Sequence, residues 1–190
     1  MKKVALVTLG CSRNETDSEE LAARLANDGW ELVTNADDAD VALINTCGFV
    51  EAAKKDSIDA VLEANSLKHG KANSLKKVVA VGCMAERYGK ELEAALPEAD
   101  GILGFDHYAD ISDRLTKILA GENIQAHAPS DRRKLLPIAP AERKQPIRST
   151  KMGEGERVLR KRLDNAPVAP LKIAAGCDRR CTFCAIPFFR

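Results

Sequence analysis

The sequence predicts an α/β fold, a parallel sheet with helices on both faces, and three observations carry that expectation. Short apolar runs alternate with stretches of helical periodicity up to about residue 120. Each run is short enough for a buried strand, and each helical stretch is long enough to cross back over a sheet. Three of the runs are followed within two residues by a cysteine, at positions 11, 47 and 83, so that the same strand-end feature returns every 36 residues.

Val4–Leu9 reads as the first buried strand. Thr16-Asp17-Ser18-Glu19 then has the form of a capping box, and Leu21, Leu25 and neighbouring alanines share one helical face until Gly29 ends the helix. Val41–Asn45 is the next strand. Val50, Ala53, Ser57, Ile58, Val61 and Leu62 follow as the apolar face of an amphipathic helix. Val78–Gly82 is a third strand, followed by a helix from about Glu86 to Leu96 that Pro97 stops. Ile102–Phe105 and a helix near Asp110–Leu119 complete the set.

Composition narrows the function classes. The chain has 190 residues, 45% hydrophobic and 30% charged, the profile of a globular protein. Aromatic residues are only 4%, which argues against base stacking as its main activity. The formal net charge of +1 conceals a division: residues 1–131 carry 14 basic and 23 acidic groups, whereas residues 132–162 carry 11 and 3. No apolar stretch reaches the roughly 18 residues of a membrane helix. The opening Met1-Lys2-Lys3 and Val4–Leu9 turn polar at Ser12-Arg13-Asn14-Glu15, too early for a signal peptide. The expected location is therefore cytoplasmic, with no membrane partner. Thiols stay reduced there, and six cysteines call for a metal or catalytic role.

Parallel strands all point one way, so Cys11, Cys47 and Cys83 are expected together at the carboxyl edge of the sheet, where open α/β sheets place ligands. Gly10, Gly48 and Gly82 beside them would let the backbone approach a bulky group. Each cysteine taken singly can be a small buried hydrophobe. As a set, three thiolates suit an iron–sulfur cube with one open iron, and zinc with a histidine or water is the other possibility. His69, His107 and His127 fall in helix-end or loop sequence, where a solvated side chain is expected.

Residues 129–170 lose the periodicity. Six prolines punctuate them, and Arg132-Arg133-Lys134 and Arg160-Lys161-Arg162 make them basic. This is expected to be a linker, with a short strand or helix around Arg157–Leu163. Its charge suits either an RNA surface or the acidic first domain, and packing on that domain is the favoured expectation. Leu171–Gly176 reads as one more strand. It runs into Cys177-Asp178-Arg179-Arg180-Cys181-Thr182-Phe183-Cys184, three thiols in eight residues. A structural zinc site would need a fourth ligand, whereas a cube on three thiolates keeps one iron free.

A CxxxCxxC loop directly after a strand resembles the radical S-adenosylmethionine superfamily. The resemblance implies that Cys177, Cys181 and Cys184 hold a 4Fe-4S cluster whose free iron binds S-adenosylmethionine, with Phe183 packed near the adenine. Leu9-Gly10-Cys11-Ser12-Arg13-Asn14, Asp17-Ser18-Glu19, Asn45-Thr46-Cys47-Gly48-Phe49 and Gly82-Cys83-Met84 resemble the amino-terminal domain of the methylthiotransferases. In that family Cys11, Cys47 and Cys83 would hold an auxiliary 4Fe-4S cluster carrying the sulfur that is transferred. Ser12-Arg13 departs from the Pro-Lys of many relatives and leaves the ligands intact.

The resemblance implies three regions: a methylthiotransferase amino-terminal domain over 1–128, a linker over 129–170, and the start of a radical S-adenosylmethionine domain over 171–190. Two branches of the family compete, one acting on adenosine in transfer RNA and one on an aspartate of ribosomal protein S12. Cys47-Gly48-Phe49-Val50, continuing through Ala53–Asp59, resembles the second. The implied partners are ribosomal protein S12 or the small ribosomal subunit, and an electron donor. The implied reaction uses one S-adenosylmethionine for the methyl group and one for a 5′-deoxyadenosyl radical that removes hydrogen from the aspartate β-carbon. A barrel takes about 200 residues or more, so a chain ending six residues after Cys184 is expected to lack turnover alone. Against this stand a binding module with structural or zinc-binding cysteines, which predicts no iron, and an electron-transfer protein, which would take four cysteines per cluster.

Overall fold

The computed structural model describes residues 1–68, 74–126, 128, 160–174, 176, 177, 179 and 181–189. Five parallel strands form one sheet: β1 (Lys3–Thr8), β2 (Glu31–Val33), β3 (Val41–Thr46), β4 (Lys77–Gly82) and β5 (Gly101–Leu103). Their spatial order is β2-β1-β3-β4-β5. The helices are α1 (Ser12–Asn27), α2 (Glu51–Leu67), α3 (Cys83–Ala95), α4 (Ile111–Leu119) and the four-residue α5 (Ile186–Phe189).

The strands form because both of their faces are buried, so they read as continuous apolar runs. In β3 the six residues from Val41 to Thr46 are all buried. Alternate residues serve opposite cores. Val4, Val41, Leu43, Val79, Val81 and Leu103 pack with Leu21 and Leu25 of α1 and with Ile111, Leu115 and Ile118 of α4. Ala5, Ala42, Ile44, Val78, Ala80 and Ile102 pack on the other side with Val61 and Ala64 of α2 and Met84, Ala85 and Leu92 of α3. Two helices on each face are what the alternation of strands and helices requires.

Several local expectations change. β2 was not anticipated, because three half-buried residues are too few to show a period. Helix α1 begins one turn before the capping box, with Cys11 as its N-cap. The Cys11 carbonyl accepts from the N–H groups of Asn14 (2.8 Å) and Glu15 (3.2 Å). Thr16 instead donates to the Arg13 carbonyl at 2.8 Å. Helix α3 likewise starts at Cys83, not Glu86. The apolar face expected of α2 is only partly the buried one: Ser57, Val61 and Ala64 face the core, while Val50, Ile58 and Leu62 stay exposed. No strand forms over the described residues of 171–176. Leu171 and Ile173 are 80% and 90% exposed, and no strand among the described residues pairs with them. The expected element around Arg157–Leu163 is absent over 160–163, and 157–159 lie outside the described residues.

Four basic residues within 160–172 pack on the acidic side of α1. Arg162 Nε pairs with Glu19 Oε1 at 3.1 Å, and Arg160 Nη1 lies 3.4 Å from Glu19 Oε2. The Lys161 N–H donates to the Glu19 carbonyl at 3.0 Å. Lys172 Nζ reaches Asp17 Oδ1 at 2.9 Å and Glu20 Oε2 at 3.5 Å. Asp17 and Glu19 are nearly fully buried, so these cations supply charges that the two carboxylates need.

At the opposite, amino-terminal edge of the sheet, Asp100 binds Lys68 at 2.7 Å and Lys77 at 3.0 Å and accepts from the Val78 N–H at 2.8 Å. Burial alone would push its carboxyl up. The Lys68 hydrogen bond, the Val78 N–H and the Lys77 hydrogen bond together outweigh burial and hold it below the usual carboxylate range. A carboxyl depressed in the folded state stabilises fully above the ordinary carboxylate pKa and loses that contribution as pH falls towards the folded value. Asp100→Asn is therefore expected to lower the urea midpoint at neutral pH, with the gap to the parent narrowing below about pH 4. A gap that stays constant down to pH 3 would contradict this.

Candidate functional site

The sheet order fixes where a site can form. The chain leaves β1 for β2 at one edge and returns to β3 on the other side of β1, so the carboxyl ends of β1 and β3 flank the point where the winding reverses. Open α/β sheets leave a crevice there. Cys11 follows β1, Cys47 follows β3, and Cys83 follows β4, the next strand in the sheet. Parallel pairing of Thr8 with Asn45 and of Thr46 with Gly82 brings the three strand ends level.

The three turns touch one another. Gly10 has φ +94°, and a Cβ placed on it would lie 2.9 Å from Cys47 Cβ and 3.1 Å from Cys47 Sγ. The turn after β1 therefore lies directly against the Cys47 side chain. Gly48 approaches the next turn as closely, since a Cβ there would meet the Cys83 carbonyl oxygen at 2.8 Å. Arg87 of α3 donates to the Gly48 carbonyl at 2.9 Å and fastens that contact. The Cys47 N–H donates to Ser57 Oγ at 2.9 Å, and Ser57 donates to the Ala53 carbonyl at 2.7 Å, tying the turn to α2. Gly82 has φ +91°, with Asn45 Oδ1 where a side chain would go. That oxygen is buried and has no hydrogen-bond partner among the described residues.

Cys47 and Cys83 are buried and Cys11 is exposed. Among the described residues no group of three His, Cys, Asp or Glu side chains is close enough to hold a metal ion. The three turns are thus in contact while their thiols are not gathered into a cage. The donor chemistry fits an iron–sulfur group nonetheless: three thiols, each flanked in the chain by a glycine. A cavity of about 250 Å³ opens beside this edge, lined by Thr8, Leu9, Gly10, Cys11, Glu15 and Glu19 of the first domain and by Arg162, Leu163, Asp164 and Pro170 of the connector.

Cys177 and Cys184 are half-buried and Cys181 is exposed. The Cys184 N–H donates to the Cys181 carbonyl at 3.3 Å, closing a turn through Thr182 and Phe183. Phe183 is 92% exposed, so its ring packs little against the described residues. The loop is linked to the first domain on two sides. Arg13 of α1 donates to the Ala174 carbonyl at 2.8 Å, and α5 packs against α3. His107 is half-buried and accepts the Gly104 N–H on Nδ1 at 3.3 Å, a correction to the solvated role expected of it. His69 and His127 lie outside the described residues.

Sequence reasoning located the cysteines but read Thr16–Glu19 only as a helix cap and gave Asn14 and Asn45 no role in joining the turns. Asn14, Thr16, Asp17, Ser18 and Glu19 are all buried at the start of α1. Thr8 Oγ1 donates to Ser18 Oγ (2.7 Å), and Asn45 Nδ2 donates to Ser18 Oγ (2.8 Å) and the Asn14 carbonyl (2.9 Å). The available signal was the unbroken polar stretch 14–19 shortly after the first cysteine; five of its six residues are buried, where burial demands partners.

Residues 3–104 match the sequence profile of the uncharacterized protein family UPF0004. Among curated proteins, the ribosomal protein uS12 methylthiotransferase RimO of Streptomyces coelicolor is 63% identical over 205 residues, covering all of this chain and 41% of that protein. The protein of the same name from Kineococcus radiotolerans is 63% identical over 198 residues, all of this chain and 40% of its own length. That of Frankia alni is 56% identical over 204 residues, all of this chain and 37% of its own length. The chain thus spans about 40% of the length of the curated relatives it matches.

Two of the positive-φ glycines, Gly82 and Gly29, separate site packing from backbone strain. Gly82→Ala adds a Cβ within 2.8 Å of the Thr46 carbonyl oxygen and onto Asn45 Oδ1, whereas Gly29, at φ +82°, has nothing within 4 Å. Gly29→Ala should cost about 1–2 kcal/mol from backbone strain alone. Gly82→Ala should cost roughly 3 kcal/mol or more, by adding overpacking to that strain. Equal losses in chemical denaturation would contradict the close packing of the turns.

Proposed function

The chain belongs to the uncharacterized protein family UPF0004, and we propose that it forms part of a methylthiotransferase that modifies ribosomal protein uS12 by radical S-adenosylmethionine chemistry. The observation that carries this reading is identity of 54–63% across nearly the whole chain to proteins named ribosomal protein uS12 methylthiotransferase. The cysteine turns meeting at one sheet edge support it independently.

In this reading Cys11, Cys47 and Cys83 hold the auxiliary 4Fe-4S cluster, and Cys177, Cys181 and Cys184 hold the second, with Phe183 beside the adenine of S-adenosylmethionine. Residues 1–128 are the auxiliary-cluster domain, 129–170 the linker, and 171–190 the beginning of the radical domain. When bound, the clusters and S-adenosylmethionine supply the one-electron and methyl-transfer chemistry that lets a methylthio group replace a hydrogen on the β-carbon of an aspartate.

The chain's own residues position and shield. Gly10 and Gly48 leave backbone, without side chains, beside Cys47 and Cys83. Arg87 fixes the Gly48 carbonyl, and Ser57 fixes the Cys47 N–H. Asp17, Glu19 and Glu20 hold Lys172, Arg160 and Arg162, which anchors the segment leading to Cys177 along α1. The second cysteine loop is thereby tethered to the helix whose N-cap is Cys11. The remaining partners in this reading are an electron donor and the small ribosomal subunit, in the cytoplasm. Among the described residues no helix is long and apolar enough to cross a membrane.

The test is a Cys47→Ser substitution in the chromosomal gene, followed by mass spectrometry of uS12 peptides and of transfer-RNA nucleosides. The expected result is loss of the methylthio group from uS12 with methylthiolated adenosine unchanged. Unchanged uS12 together with loss of methylthioadenosine would assign the protein to the transfer-RNA branch instead.

A further inference from the structure

We propose that Asn14 is the positioning residue that holds the three cysteine-bearing turns in register. Its side chain reaches all three. Asn14 Nδ2 donates to the Leu9 carbonyl at 2.8 Å, in the turn that leads to Cys11. The same nitrogen donates to the Thr46 carbonyl at 3.1 Å, the residue before Cys47. Asn14 Oδ1 accepts from Cys83 Sγ at 3.4 Å. The residue is 1% exposed. Its backbone closes the arrangement: its N–H donates to the Cys11 carbonyl at 2.8 Å, and its carbonyl accepts from Asn45 Nδ2 at 2.9 Å.

A buried asparagine with satisfied hydrogen bonds is ordinary in itself. What distinguishes this one is where its bonds go. They join segments 32 and 69 residues away along the chain, both at cysteine turns. The chemistry also selects the residue type. Two carbonyls need two donors and the Cys83 thiol needs an acceptor, and a primary amide provides both from one planar group. Aspartate has the same shape but would set a carboxylate against two carbonyl oxygens. Alanine removes all three contacts and leaves the Leu9 and Thr46 carbonyls without this partner.

The purpose served, presenting three thiols to one iron–sulfur group, rests on the proposed function. The positioning itself is measurable without iron. The metal-free chain, with Asn14→Ala, Asn14→Asp and Ser112→Ala variants, is pulsed with N-ethylmaleimide, and labelling of each cysteine is quantified by mass spectrometry. Ser112 is the control because it accepts the Trp30 Nε1–H at 3.0 Å, a buried hydrogen bond that touches no cysteine turn. Parallel samples are reconstituted anaerobically and their iron is counted, with far-UV circular dichroism as the measure of fold.

Both Asn14 variants should keep the parent's circular dichroism and label Cys47 and Cys83 about tenfold faster, as local opening of a hydrogen-bonded turn requires. Cys11, already exposed, should change less than about twofold by the same reasoning. Iron uptake should fall in both, and Ser112→Ala should move neither readout. Unchanged labelling of Cys47 and Cys83 would overturn the proposal. So would loss of the circular dichroism in both variants, which would make Asn14 a residue of the global fold. If the parent takes up no iron while the labelling pattern appears as expected, the cluster reading fails and the positioning role stands.

Discussion

The approach of the Gly10 backbone to the Cys47 side chain, across the point where the sheet's winding reverses, is the constraint from which the site follows. A side chain at position 10 would collide with Cys47 Cβ and Sγ, so the turn after β1 can lie there only as glycine. That turn delivers Cys11 to the N-cap of α1. The same edge carries Gly48 against the Cys83 backbone. Three turns from three successive positions in the sheet are thereby packed side by side. The hydrophobic layers above and below support this edge: β3 is buried along its whole length, and its alternate residues pack into both cores.

Charge organises the other half. Residues 1–131 are acidic and 132–162 basic, and among the described residues the two signs meet along α1. Asp17 and Glu19 are nearly fully buried, which would be costly for carboxylates without cations beside them. Arg160, Arg162 and Lys172 supply those cations from residues far along the chain. Helix α1 therefore presents Cys11 at its N-cap and holds, about two turns further on, the segment that runs into Cys177. A single helix links the two cysteine groups, and a cavity lies between it and the connector.

Much of this was legible in the sequence, and for identifiable reasons. Val41–Asn45 and Val78–Gly82 are apolar on both faces, which only a central parallel strand explains, and an interval of 36 residues between cysteines is one strand-helix repeat. What failed to show was set by tertiary contact. The short edge strand Glu31–Val33 has no period to read. The Thr16–Glu19 pattern resembled a cap because Glu19 looked like a helix-start residue, when its partners are arginines beyond residue 159. Ile58 and Leu62 fit the helical stripe of α2, yet the sheet takes the side bearing Ser57, Val61 and Ala64. Leu171–Gly176 has the composition of a strand, yet no strand among the described residues pairs with its described positions. Asn14 stood within a legible motif, but its bonds to Leu9, Thr46 and Cys83 needed the three turns to be assembled first.

In the proposed function, Cys11, Cys47 and Cys83 together hold one iron–sulfur cluster. Iron and acid-labile sulfide should be counted per chain after anaerobic reconstitution of the parent and of a variant with all three replaced by alanine. The account predicts that the variant holds about four fewer irons and about four fewer sulfides than the parent, the content of one cubic cluster. Equal iron in the two, or none in either, would contradict it and leave the cysteine turns as packing in a binding domain.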